Sequence, residues 1–406
     1  MKKYPTNKAP ISKKKKTVKI VLITLSIIIG ILLLTAIGVG IWAINLWNNV
    51  EAPSNGSEDT LPFDTEDLTT DTSEPSNTDT PNQNDAPDKS KMYNFLLLGA
   101  DKVASNTDVI MLISFNVEAK KISIMQIPRD TYVEVNGMSH KINALYGIYY
   151  SQGIYNKATD PQEYGLQKLE ETLEKNLCIN INYHAMVNLE GFRNIVDILG
   201  GVEVNIPQDV SYYDEYEKRE MVLKKGKQLL NGAKAEGFIR HRSSYLQADI
   251  GRLDAQKIFM SALLKEVKDS FSVTTIVKIA GQIFKHVKTD IELEDAVYFA
   301  KSLLSIDLNN MNFMTLTGYS PAPTAGAPWY YVMNRKGALQ LINEYFNMYD
   351  FEITDSIFDK NKIFYSNNGT AEYLNPYYEC EPDNLIGGNV SNAGDINGGS
   401  IYIPRY

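Results

Sequence analysis

The chain has 406 residues and a formal net charge of −9, with 44% hydrophobic and 22% charged residues. That length holds one large domain or two ordinary ones with an ample core. The acidic balance argues against nonspecific nucleic-acid binding, which needs a broad basic face, and with no CxxC and no paired spacing among the four His a zinc site is not expected.

Charge is unevenly spread along the chain. Residues 1–19 carry eight lysines and no acid, whereas residues 51–90 carry eleven acids and one lysine. No charged residue occurs from Ile20 to Trp47. This run exceeds the ~20 apolar residues that cross a bilayer, so a transmembrane helix is predicted over 20–47. Five lysines (13–16 and 19) flank its near end, and Trp42 and Trp47 sit at its far end. The positive-inside bias then makes 1–19 a basic cytoplasmic tail and places the rest outside the cell. A cleaved signal peptide is the rival reading, but its apolar core is shorter and ends at a small-residue cleavage site. Residues 48–91, rich in Asp, Glu, Thr, Ser, Pro and Asn, are predicted to be a disordered acidic tether.

Ordered structure is expected from Tyr93. The runs 93–99, 109–115 and 121–127 read as buried strands, the last two joined as a hairpin through 116–120. Helices are predicted over 140–152 and 161–176, a short strand near 183–187 and a helix near 189–199. Gly200-Gly201 ends that helix, and 202–206 is the next strand. A long helix runs from Asp249 to about Phe271, apolar helices follow over 273–284 and 296–304, and 312–345 returns to strand and helix. This alternation predicts a layered α/β/α domain with a central mixed sheet over 92–350. Residues 351–406 form a C-terminal extension with a weak pattern, Gly-, Asn- and Ser-rich over 385–400. Cys178 and Cys380 are read as free thiols rather than a bridge, since a domain this large needs no staple.

Three constellations carry chemistry. Asp101 follows the first strand and Asp108 precedes the second, so both can meet at a strand-end cleft and hold a hard cation such as Mg2+ (or Mn2+). Taken separately, each instead caps a turn. Arg129, in Ile127-Pro128-Arg129-Asp130-Thr131, ends the third strand at the same cleft, with an exposed ion pair as the plain alternative. Asp249, Arg252 and Gln256 share one helix face near a helix N-terminus, a favourable place for phosphate. Arg240 and Arg242 arrive just before it, on a segment read as extended, where residues two apart point the same way. Guanidinium forks match phosphate oxygens, so these arginines read as a polyanion receptor. Lys141 and Asn143 are read as structural.

These motifs, in this order, resemble the LytR-CpsA-Psr family of wall-polymer transferases. The resemblance rests on Leu-Leu-Leu-Gly-Ala-Asp at 96–101, Thr-Asp-Val-Ile-Met-Leu at 107–112 and Ile-Pro-Arg-Asp-Thr at 127–131. It continues through Lys-Ile-Asn-Ala at 141–144, Leu-Gly-Gly-Val-Glu-Val at 199–204, Arg-His-Arg at 240–242 and Gly-Arg-Leu-Asp-Ala-Gln at 251–256. It departs at Asn106 and Ala255, where family members often carry a basic residue. The resemblance implies transfer of a glycopolymer (teichoic acid, capsule or similar) from undecaprenyl pyrophosphate to a peptidoglycan hydroxyl. It also implies Mg2+ on Asp101 and Asp108, and pyrophosphate on Arg129, Arg240, Arg242, Arg252 and Gln256. Asp249 is the candidate general base. The partners expected are the lipid-linked polymer, peptidoglycan and the bilayer, with no nucleic acid. The alternatives are a polyprenyl pyrophosphate hydrolase using the same site and a non-catalytic polyprenyl-phosphate-binding wall scaffold.

Overall fold

The structure is a computed structural model and describes residues 45, 47–53, 61–62, 89, 91–100, 106–214, 218–241, 248–270, 286–308, 311–321, 328–358, 363–364 and 391–392. The chain divides into two compact units, Met1–Ala52 with Leu293–Lys301, and Pro53–Glu292 with Ser302–Tyr406. In the smaller unit, Lys301 Nζ donates to the Trp47 carbonyl at 3.1 Å and lies over the Trp47 ring. Among the described residues no helix is long and apolar enough to cross a membrane. The expected span over 20–47 lies outside them except for residues 45 and 47, as do most of the 48–91 tether and the expected helix over 273–284.

The larger unit is built on a seven-stranded mixed sheet. Strands β1 (Met92–Ala100), β2 (Thr107–Asn116) and β3 (Lys121–Gln126) form an antiparallel meander. β6 (Tyr183–Asn188) runs parallel to β1 and carries β11 (Val287–Thr289) antiparallel at its outer edge. β12 (Met311–Thr315) runs parallel to β3 and pairs with β15 (Ser391–Asn392). The order is β11-β6-β1-β2-β3-β12-β15. A sheet covered on both faces needs continuous apolar strands, which is why Phe95-Leu96-Leu97-Leu98 shows little alternation. Leu96 and Leu98 enter the main core, while their neighbour Leu97 faces a cavity on the other side.

Helices α1 (Leu145–Tyr155), α2 (Pro161–Leu177) and α7 (Arg335–Tyr345) close the first face. Their Leu145, Leu166, Leu169, Leu173, Leu341 and Ile342 are fully or nearly fully buried in one cluster with Leu96, Leu98, Ile110 and Leu112. Asp160 caps α2 by accepting from the Gln162 and Glu163 N–H groups, Pro161 occupies its first turn, and Cys178 ends it in the left-handed region. Cys178 is a buried free thiol, and burial pushes it up to about 12; Cys380 lies outside the described residues. The second face carries α3 (Leu189–Ile198), α4 (Gly232–Arg240) and α5 (Ala248–Asp269). The remaining helix, α6 (Leu293–Leu304), begins in the smaller unit. The main core also takes in Ile353, Ile357 and Phe358, the last two on α8 (Asp355–Phe358), and Phe364. The boundary expected at residue 350 therefore falls inside this core.

Two regions differ from the sequence expectation. The helix expected from 140 begins at Leu145, because β4 (Tyr132–Val135) and β5 (Met138–Lys141) form a hairpin first. Asn136 and Gly137 turn it with φ of 54° and 72°, the conformation a tight two-residue hairpin demands. Residues 207–240 also hold unexpected order. β7 (Val202–Ile206) pairs with β10 (Gly226–Leu230), and β8 (Val210–Asp214) with β9 (Arg219–Leu223). A further small pair joins β13 (Gly318–Tyr319) to β14 (Val332–Met333).

Candidate active site

Strand register brings the sequence motifs to one rim. Gly99 and Ala100 at the end of β1 lie opposite Val109 and Thr107, with a bulge between them. The same two residues pair with Val187 and Asn188 at the end of β6. Gln126 ends β3 opposite Met111, and Ile127 still donates to the Ile110 carbonyl at 2.9 Å. Asp108, Asn188, Gln126 and the Pro128-Arg129 bend thus gather where β1, β3 and β6 end, the usual location of ligand sites in open α/β sheets.

A cavity of about 540 Å³ opens at this rim. Its polar lining is Asp108, Asn188, Arg240, Arg252 and Gln256. Leu97, Met111 and Ile113 of the sheet, Phe192 and Ile195 of α3, and Phe259, Met260, Leu263 and Leu264 of α5 supply the apolar walls. From Asp108 to Ile113 the lining follows β2 for roughly 17 Å at strand rise. From Arg252 to Leu264 it follows α5 for roughly 18 Å at helix rise. Both walls therefore change from charged to apolar in the same direction.

Arg129 and Asp108 are joined at 2.7 Å, with side chains 16% and 35% exposed. Asp130 stands 3.9 Å from Arg129 Nε and accepts from Lys141 Nζ at 2.8 Å. The Asn143 N–H donates to the Arg129 carbonyl at 3.2 Å. Lys141 and Asn143 therefore brace the loop that presents Arg129. Arg252, 3% exposed, lines the main cavity and also a second concavity of about 170 Å³ shared with Arg129, Asp130, Trp329 and Tyr330. It connects the Arg129 loop to the cavity that holds Arg240. Arg252 and Gln256 share the helix face expected of them. The Gln256 amide accepts from Gln126 and donates to the Ile239 carbonyl at 3.2 Å, so it ties β3 to the segment bearing Arg240. Ala255, 1% exposed, faces the packed side of α5.

The extended segment expected around Arg240 is a helix. Asn231 caps α4 by accepting from the Lys234 N–H, and the chain turns extended only at His241. Arg240 therefore follows helical spacing and pairs with Glu236 one turn back, at 2.8 Å. Glu236, with its side chain 4% exposed, also receives Arg193 Nε from α3. Sequence reasoning missed both Glu236 and Arg193. Gly237 lets the Tyr212 ring lie against α4 where any Cβ would collide with it. Burial lowers the pKa of the His241 imidazole, which follows Arg240 at the end of α4. Of the other expected site residues, Asp101 and Arg242 lie outside the described residues. Asp249 falls in the first turn of α5, and its side chain also lies outside them.

The LytR_cpsA_psr family model matches residues 62–347. The chain belongs to this family. It is 29% identical over 310 residues to the polyisoprenyl-teichoic acid–peptidoglycan teichoic acid transferase TagU of Bacillus mycoides, a match covering 75% of this chain and 91% of that protein. It is 34% identical over 202 residues to the regulatory protein MsrR of Staphylococcus aureus, covering 48% of this chain and 55% of MsrR. Among solved structures, B. subtilis TagV superposes with a TM-score of 0.52 at 23% identity, covering 62% of this chain and 94% of TagV. That likeness concerns the fold: a mixed α/β domain around a central mixed sheet.

Proposed function

We propose that this chain is a phosphotransferase that moves a glycopolymer from a polyisoprenyl pyrophosphate carrier, undecaprenyl in its specific form, to a hydroxyl of peptidoglycan. One observation carries the reading. Arg240, Arg252 and the Asp108–Arg129 pair stand at one end of a cavity whose walls turn apolar beyond them, over roughly 14 Å of β2 from Val109 to Ile113 and roughly 8 Å of α5 from Phe259 to Leu264. A diphosphate head on a hydrocarbon tail matches that change in polarity, with charge-assisted bonds at one end and apolar burial along the other. The name of the Bacillus mycoides relative supports the same carrier and acceptor.

The reaction follows from the charges. The acceptor oxygen bonds to the phosphorus nearer the glycan, its proton passes to a general base for which Asp249 is the candidate, the bridging P–O bond breaks, and lipid monophosphate departs with the bridging oxygen. Phosphoryl transfer is mainly positioning and charge stabilisation, which fixed guanidinium groups supply. Glu236 and Arg193 hold Arg240 toward the head group, and the braced loop holds Arg129. Asp108 would hold a magnesium or manganese ion, since among the described residues only one of its oxygens is engaged, by Arg129. Such an ion neutralises phosphate charge when bound, with Asp101 as its expected second carboxylate. Anchoring by the uncharged run 20–47, with the domain outside the cell, belongs to the same proposal.

The test is to incubate the full chain with lipid-linked polymer, Mg2+ and a peptidoglycan oligomer. The expected product joins both glycans through one phosphate and releases lipid monophosphate. Free phosphorylated polymer alone identifies a hydrolase, and unconsumed lipid identifies a binding scaffold; either result overturns the proposal.

A further inference from the structure

On the opposite side of the sheet from the cavity, β6 buries a histidine among carboxylates. Val187 lines the cavity, whereas Met186 packs against the main core, and His184 shares the Met186 face. His184 is 1% exposed. Its Nδ1 lies 3.1 Å from Glu170 Oε2 on α2 and 3.4 Å from Asp290 Oδ2, just past β11. The ligand atoms of these three residues all fall within 4.8 Å of one another. On the other side of the ring, Nε2 is buried without a hydrogen bond, 3.5 Å from Glu163 Oε1.

Hydrogen bonding alone leaves this arrangement incomplete. Nδ1 carries at most one proton, yet two carboxylate oxygens face it. From the geometry we propose that Glu170, His184 and Asp290 form a binding site for a divalent transition metal of the Zn2+ type. Zinc bonds of ~2.1 Å in a tetrahedron set neighbouring ligands roughly 3.4 Å apart, close to the two measured Nδ1 separations. Metal on Nδ1 fixes the proton on Nε2, where Glu163 stands ready to accept it. That is the carboxylate–histidine–metal arrangement found around many bound metals. The imidazole selects against Mg2+ and Ca2+, which prefer oxygen alone. Three protein ligands leave a position for water or a fourth group beside Asp290, which is exposed.

The surroundings favour a cation. Lys288 Nζ pairs with Asp160 at 2.7 Å and Glu163 at 3.2 Å. Glu163, Glu170, Asp290 and Asp160 thus outnumber the cations near them, and Glu174 lies one turn further along α2. Asp290 is already positioned, because its Oδ1 accepts from the His184 N–H at 2.8 Å while Thr289 Oγ1 donates to the His184 carbonyl at 2.6 Å. Bound metal would staple α2 and the β11 edge to β6. The sequence spacing could not reveal this site, since its ligands come from three separate elements.

The test titrates chelator-treated full-length chain with Zn2+ by calorimetry, alongside Co2+ absorption as a report on imidazole ligation. The expected result is one high-affinity Zn2+ per chain. Binding is lost in Asp290→Asn and Glu170→Gln and is about 10–100-fold weaker in Glu163→Gln. It persists in Asp108→Asn, which separates this site from the catalytic rim. Asp290 is exposed, so its variant is expected to keep the native circular dichroism that validates the comparison. No stoichiometric uptake by the wild-type chain overturns the proposal. So does uptake that survives both Asp290→Asn and Glu170→Gln in folded protein.

Discussion

Replacing Glu236 with Gln removes one charge from the centre of an Arg193–Glu236–Arg240 bridge and changes the shape little. Each ion pair is worth about 4 kcal/mol gross at 4 Å with an effective dielectric of 20, most of it offset by the cost of burying the carboxylate. Deleting one member of a fully buried pair costs about 3–5 kcal/mol. Here the Arg240 and Arg193 side chains are 45% and 18% exposed and regain hydration, so the stability loss should be nearer 2 kcal/mol. The effect on transfer is separate. Arg240 loses the contact that fixes its direction, and kcat/KM for lipid-linked polymer should fall about 10- to 100-fold, equivalent to roughly 1.4–2.7 kcal/mol of transition-state binding. Urea unfolding measures the first quantity and steady-state transfer the second. The decisive step is the double variant. If Glu236 acts through Arg240, Glu236→Gln adds little further loss of transfer on an Arg240→Gln background, while still lowering stability through Arg193. Independent, multiplying losses of transfer would refute this reasoning, as would wild-type turnover in Glu236→Gln.

Other consequences follow from the same geometry. Leu263→Trp fills the apolar cavity and should raise KM for a long-chain polyisoprenyl donor at least about 10-fold while sparing a short-chain analogue; equal effects on both donors would mean the tail lies elsewhere. Asp108→Asn should raise the Mg2+ concentration for half-maximal transfer by about 10-fold or more, and an unchanged Mg2+ titration would remove Asp108 from the metal site. Glu174 is raised by burial to about 7 from an ordinary 4.5, so the folded chain holds a proton that the unfolded chain releases between those values. Stability therefore falls as pH rises through that window. Because the group is partly exposed, Glu174→Gln should stabilise the chain by about 1–2 kcal/mol at pH 8 and by almost nothing near pH 4.5. Its amide oxygen still accepts from Ile181, and destabilisation at pH 8 by urea titration would contradict the assignment.

Several elements of this fold were legible because their residues obey local rules. Strands β1 and β2 announce themselves by the apolar runs Phe95–Leu98 and Val109–Ile113, and β3 by the alternation of Ile122, Ile124 and their polar neighbours. α2 announces itself by Asp160-Pro161 at its start, and α5 by a polar first turn followed by Phe259, Met260 and Leu263. The β4–β5 hairpin is legible in principle, since Asn136-Gly137 is a strong turn signal, and the helix predicted from 140 overlaps only its last two residues. Strands β8 and β9 are a different matter. Val210–Asp214 and Arg219–Leu223 form a two-stranded ribbon outside the main sheet, and their mixed composition has no clear period. Arg240 was placed near the cleft but on the wrong backbone. The Asn231 cap and the Gly237 contact with Tyr212 make its segment helical, and only the helix pairs it with Glu236. The partnership of Glu236 with Arg193 depends on how α3 meets α4, which no short-range pattern encodes. The meeting of Arg129 with Asp108 likewise depends on β2 lying beside β3, a pairing that the predicted hairpin did imply.

The most direct measurement is a crystal structure of the chain with a polyisoprenyl pyrophosphate soaked in. The account predicts the diphosphate within hydrogen-bonding reach of Arg240, Arg252 and Arg129, with the hydrocarbon running between β2 and α5 past Phe259 and Leu263. A head group bound away from those three guanidinium groups, or a tail lying on the outer surface with the cavity closed, would contradict it.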